Sequence, residues 1–184
     1  MSLENLRARF EGASPFAAFV DATHENTDLY RAVYAHAKVT DAAVARAVAL
    51  DGPWRLLVLT EDWCGDGINS LPVLVRLTER APNLELRILS RDANPDLMDA
   101  HLSGTSRAIP VVMILDADYE ERAWWGSRPG PIKGWALSPE AQAMTKADRY
   151  KEIRRWYARD HGETTVNEIL TLIEQARVTA ASRQ

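Results

Sequence analysis

One cysteine, Cys64, stands in 184 residues, so no disulfide can form within the chain. Charge of one sign is also scarce. Twenty-two Lys and Arg face 26 Asp and Glu, for a net charge of −4. No basic stripe is present, which excludes the electrostatic footprint of a nucleic-acid binder, and no Lys/Arg-rich amphipathic stretch invites a membrane surface. The apolar runs are strand-sized, far short of the ~20 residues that a membrane-spanning helix needs. Internal repeats and low-complexity tracts are lacking. Met1-Ser2-Leu3-Glu4-Asn5 has neither the basic start nor the apolar run of a secretory signal. With a lone thiol, this leads to the expectation of a reducing cytoplasm. His24, His36, His101 and His161 are scattered, and none forms a metal-ligand spacing with Cys64, so no metal site is expected.

What is there is ordinary globular material: 46% apolar and 26% charged residues, enough for one good core with helical additions. One domain over 1–184 is expected, in three regions. Residues 1–52 read as a helical extension. Ser14-Pro15 opens a helix carrying Phe16, Phe19 and Val20; Asn26-Thr27-Asp28 starts another; Asp41 caps a third through Val48; Asp51-Gly52-Pro53 breaks it. Residues 54–126 alternate strand and helix. Trp54–Thr60 is a near-continuous apolar run, the pattern of a strand buried on both faces. A helix over 65–80 follows, with Pro72 inside it. Then come a strand at Leu84–Ser90, a helix from Asn94-Pro95, a strand at Val111–Leu115, a turn at 116–118 and a strand over Tyr119–Trp125. The first two strands are expected to be parallel and the last two a hairpin. Residues 138–182 form the third region, after a Gly/Pro-rich loop from Gly126 to Gly134. Ser138-Pro139 opens a helix reaching Tyr157, Asp160-His161-Gly162 stops it, and Thr164 or Thr165 opens the last one.

The chemistry-bearing stretch is Glu61-Asp62-Trp63-Cys64-Gly65-Asp66-Gly67, placed where strand gives way to helix. A thiol at a helix N-terminus meets free N–H groups and the positive end of the dipole, which lower its pKa from ~8.5. Glu61, Asp62 and Asp66 act in the opposite direction. Asp66 is either a helix cap or a proton-transfer group. Trp63 shields the thiol, stacks on a ligand or simply packs. Arg107, three residues before Pro110, reaches a thiolate or an acidic ligand, or stays solvated. Trp124, Trp125 and Trp135 cover the sheet edge or line a partner surface.

Trp63-Cys64-Gly65-Asp66-Gly67 after an apolar strand, Pro72 eight residues past Cys64, and Ile109-Pro110 opening a later strand resemble the thioredoxin family. The run Glu61–Asp66 is similar to a bacterial subgroup of thioredoxin-like proteins, as are Trp124–Pro129 and Trp156–Asp160. The resemblance implies an α/β thioredoxin-like fold: a central mixed β-sheet flanked by helices, with helical extensions at both ends. It makes Cys64 the candidate nucleophile with Asp66 beside it. Pro110 becomes a cis-proline. Trp63, Gly65, Gly67, Ile109 and Pro110 become substrate-binding positions. The departures are as informative. The place of the second cysteine is held by Gly67, and the place of the buried acid six residues before Cys64 by Val58.

Three functions follow as expectations. The first is a monothiol thiol-disulfide oxidoreductase acting on protein disulfides, with no bound cofactor. An external thiol such as glutathione, or another low-molecular-weight thiol, resolves the mixed disulfide. The second is a non-redox module that binds extended peptides. The third is a redox sensor that pairs Cys64 with Cys64 of a second copy.

Overall fold

The structure is a computed structural model that describes residues 3–181. Met1, Ser2 and residues 182–184 lie outside it, and with them the first two residues of the signal-peptide reading and the last residue of the expected C-terminal extension. Its centre is a four-stranded mixed sheet made of β1 (Trp54–Thr60), β2 (Leu84–Ser90), β3 (Val111–Leu115) and β4 (Glu121–Gly126), in the order β2-β1-β3-β4. β1 and β2 run parallel, with Val58 opposite Ile88. β3 is antiparallel to β1, with Val58 opposite Val112, and β4 is antiparallel to β3. The parallel pair is bridged by α5 (Gly65–Arg80), as a crossover requires.

The unbroken apolar run of β1 is explained by its two covered faces. Leu56 and Val58 point to one core with Leu71, Leu74 and Leu77 of α5, Ala43 and Ala47 of α4 (Asp41–Val48), and Ile169, Leu170 and Ile173 of α10 (Glu163–Ala181). Leu57 and Leu59 point to the other, with Leu6 and Phe10 of α1 (Leu3–Gly12) and Leu97 and Met98 of α6 (Pro95–Ala100). The period-two alternation of strand side chains separates the two sets. Together these features give the α/β, thioredoxin-like arrangement with helices added at both ends.

Several local expectations are corrected. Ser14 does not cap α2 (Phe16–Asp21): its backbone exchanges hydrogen bonds with Ile88 (2.9 and 2.8 Å), adding a one-residue bridge beside β2, and Pro15 is the N-cap. Thr40, not Asp41, caps α4, accepting from the Ala43 N–H at 3.2 Å. The expected single helix from Pro139 to Tyr157 is two, α8 (Pro139–Ala143) and α9 (Lys146–Asp160). The break falls at Thr145, whose hydroxyl accepts from the Asp148 N–H and so starts a new helix. The Gly/Pro-rich loop contains a helix of its own, α7 (Gly130–Ala136), packed on α9 through Ile132, Ala136, Ile153 and Tyr157. α10 begins at Glu163, one residue before the expected threonines, and Asp160 accepts from the Thr164 N–H at 3.2 Å. β4 starts at Glu121, not Tyr119, which has φ +62° in the turn.

The second core carries a buried imidazole. His101 is 2% exposed and lies edge-on to Trp124. Its Nδ1 is 2.6 Å from the Leu97 carbonyl and its Nε2 2.8 Å from Glu121. Burial alone lowers an imidazole pKa, but the Glu121 hydrogen bond, the Leu97 carbonyl and the Glu121 charge outweigh it, and the pKa is raised. A raised pKa means that the stabilisation is complete below the unfolded value of ~6.5 and is lost as pH rises through the folded value. Thermal denaturation should therefore show wild type losing stability on this rise. His101→Gln should lack that segment of the pH profile and be less stable at pH ~6.

Candidate functional site

α3 (Thr27–His36), β1, α5 and the segment before β3 converge on Cys64. Cys64 is the N-cap of α5, and its Sγ accepts the Gly67 N–H at 3.3 Å. Sulfur thus does what a Ser or Asp oxygen does at other helix starts. The thiol in turn donates to the Ile109 carbonyl at 3.5 Å. Cys64 and Pro110 are therefore neighbours across a narrow seam, and the Ile109–Pro110 peptide is cis.

The sulfur is enclosed. Cys64 is 5% exposed, while Trp63 beside it is 46% exposed, with the Arg91 guanidinium 4.9 Å from its ring centre. Burial is the dominant influence on the thiol and pushes its pKa up to about 11; the Gly67 N–H lowers it and the Asp66 charge raises it further. The competition between helix terminus and acids is thus decided by desolvation. Asp62 is held below the usual carboxylate range, first by the His24 N–H and also by that of Glu25. Glu61 accepts from Ser90 and the Asp92 N–H.

Gly67 has no room for a side chain. A Cβ there would stand 2.6 Å from Thr60 Oγ1, 3.1 Å from the Tyr30 hydroxyl and 3.5 Å from Cys64 Cβ. Tyr30 is fully buried, and its hydroxyl, 3.4 Å from the Glu61 carbonyl, has its pKa raised, chiefly by burial. Thr60 Oγ1 is buried beside Tyr30 and Cys64. The seat that a second cysteine takes in a dithiol protein is closed by these two side chains.

Asp66 is 8% exposed, and both of its carboxylate oxygens are engaged. Arg128 Nε lies 2.8 Å from both of its oxygens and Nη2 2.7 Å from Oδ2, while the Tyr157 hydroxyl donates to Oδ1 at 3.0 Å. Arg128 belongs to a strap after β4. Gly126 lies so close to Pro110 that a Cβ would come within 2.7 Å of its carbonyl. Glu168 accepts from Trp125 Nε1 and the Gly130 N–H, and Lys133 donates to the Gly126 carbonyl at 2.8 Å. The strap thus runs from the Pro110 seam to the first turn of α5.

A family model described as Thioredoxin matches residues 13–149. The chain belongs to the thioredoxin family. Two solved structures share its fold. A protein of unknown function from Pseudomonas aeruginosa is 25% identical, with a TM-score of 0.76, covering 96% of this chain and 99% of the other. An HIV epitope scaffold is 24% identical, with a TM-score of 0.72, covering 95% of this chain and 99% of the other. Among curated proteins, none matches significantly.

Within this thioredoxin-family site, Trp63, Cys64, Gly65, Asp66 and Gly67 form one turn, with Ile109 and Pro110 alongside. Gly65 is exposed, whereas Gly67, Ile109 and Pro110 are buried. Val58 is wholly buried among apolar neighbours. Arg107 is drawn to Asp99 at 2.7 Å. Trp125 packs inward, Trp124 lies on His101, and Trp135 packs on the α7–α9 cluster. Sequence reasoning missed Tyr30 and Thr60 at the site, and it marked the runs that hold Arg128 and Tyr157 without giving either a role there. Arg128 and Tyr157 lie 62 and 91 positions from Asp66, and no local pattern signals such a pairing.

Proposed function

We propose that this chain acts as a non-redox binding module of the thioredoxin fold. It takes an extended segment of a partner protein along the face that bears Trp63, Gly65 and the approach to Ile109-Pro110. The observation that carries this reading is the state of Cys64: a sulfur 5% exposed with its pKa pushed up to about 11. At neutral pH the thiol is held in its protonated form, and the thiolate is the attacking species. A closed seat at Gly67 adds to it, because no resolving group fits there. Trp63 supplies a large exposed apolar surface beside the seam, of the kind that anchors peptides. Recognition of extended chain by backbone needs no thiol. Asp66 in this reading is a positioning residue, holding the strap against α5. Likeness to the P. aeruginosa protein supports placement in a bacterial subgroup, and a lone thiol suits a reducing cytoplasm.

Monothiol exchange on protein disulfides, resolved by glutathione or another small thiol, is the second reading. The Gly67 N–H aimed at the sulfur from the α5 terminus favours it, and burial weighs against it. The same burial weighs against a Cys64–Cys64 disulfide between copies.

The test uses peptides selected by phage display on the folded protein. Cys64→Ser should bind them as wild type does. Trp63→Ala should weaken binding by at least about tenfold. Loss of binding in Cys64→Ser with Trp63→Ala unaffected, or failure to select any peptide, overturns the reading.

A further inference from the structure

A cleft of about 980 Å³ opens between α3, α5 and α9, and neither Trp63 nor Cys64 lines it. Its size lies at the upper end of the range for small-molecule sites. Apolar surface comes from Val33, Val39 and the buried Val73. Its lining carries two cations and two acids, and among the described residues they are not paired with one another. Lys38 and Arg154 line it, and among the described residues neither meets a carboxylate. Of the two acids there, Asp41 is engaged by Arg80 at 2.7 Å, which leaves Glu163. His36 and His161 on the same walls add ring nitrogens.

A second cleft differs in this respect. That one, about 540 Å³ between α2, α3 and β2, contains Arg31 and Arg87, which pair with Asp21 at 3.0 Å and Glu85 at 2.8 Å. Its cations are already satisfied. Those of the larger cleft have no carboxylate partner among the described residues, and cations that share a cleft with apolar side chains complement an anion with an apolar body.

We propose that the α3–α5–α9 cleft binds a small organic anion. Its carboxylate or phosphate head sits by Lys38 and Arg154, and its hydrocarbon body lies on Val33, Val39 and Val73. The site is one hydrogen bond from the cysteine turn. Asn69 lines the cleft and donates to the Gly65 carbonyl at 2.7 Å. Occupancy therefore bears on the same turn that carries Cys64, while the cleft itself depends on no property of the thiol.

The probes are octanoate, octyl phosphate and octanol, titrated into the isotope-labelled full chain while amide shifts are followed. The two anions should shift amides of residues 33–39, 69 and 158–163 saturably, and octanol should need at least about tenfold higher concentration. Whichever anion binds more tightly identifies the head group. Lys38 and Arg154 are exposed, so Lys38→Ala/Arg154→Ala is expected to fold. That variant should weaken octanoate by at least about tenfold and leave octanol unchanged. Trp63→Ala should leave all three unchanged, which separates this site from the peptide reading, because Trp63 does not line the cleft. Equal binding of octanol, shifts centred elsewhere, no saturable shift, or unchanged octanoate affinity in the double variant overturns the proposal.

Discussion

Arg128→Ala is expected to destabilise the protein by about 3–5 kcal/mol. The Asp66 side chain is 10% exposed, and Arg128 is its only cationic partner among the described residues. Removing the guanidinium leaves a buried carboxylate with the Tyr157 hydroxyl alone. That costs much more than losing an exposed pair such as Arg7–Glu11, whose two side chains are more than half exposed. Replacing both members, Asp66→Leu with Arg128→Met, should recover most of the loss, since neither charge then stays stranded. Urea denaturation of the two variants checks this. A cost below about 1 kcal/mol for Arg128→Ala would mean that the pair is solvated and the strap not held by it.

Gly67→Cys, which restores the spacing of a dithiol motif, should fail to create a working one. Its Cβ would meet Thr60 Oγ1 at 2.6 Å and the Tyr30 hydroxyl at 3.1 Å. Thr60 is β-branched and buried, so it has few rotamers to retreat into. Overpacking of this kind costs about 1–3 kcal/mol. The variant should be destabilised by that amount. Under mild oxidation it should form little disulfide between Cys64 and the introduced thiol, read by mass after thiol capping. Adding Thr60→Ala should restore stability and raise disulfide yield. Ready disulfide formation in Gly67→Cys alone, at wild-type stability, would show that the seat is open.

How much of this was legible in the sequence follows from where each signal lies. The strands were legible because β1 and β3 are buried on both faces and so read as continuous apolar runs. The start of α5 was marked by the Trp63–Gly67 turn. The break between α8 and α9 was written as Thr145 three residues before Asp148, but the apolar spacing from Met144 to Tyr157 masked it. The seam between Cys64 and Ile109 was legible only through the family resemblance. Its enclosure was not, because Tyr30, Thr60 and the Arg128 strap reach it from separate elements. Local charge pattern gave acids around the thiol, yet burial, a non-local property, decides its ionisation.

The central claim is that Cys64 is a sealed, protonated thiol. The most direct measurement is the rate of iodoacetamide alkylation of native Cys64 against pH, compared with the same chain in denaturant. The account predicts a native midpoint of about 11, above the ~8.5 of a free thiol, and slower modification than in the unfolded chain at every pH below it. A native midpoint at or below ~8, with faster modification than in denaturant, would contradict it and favour monothiol redox chemistry.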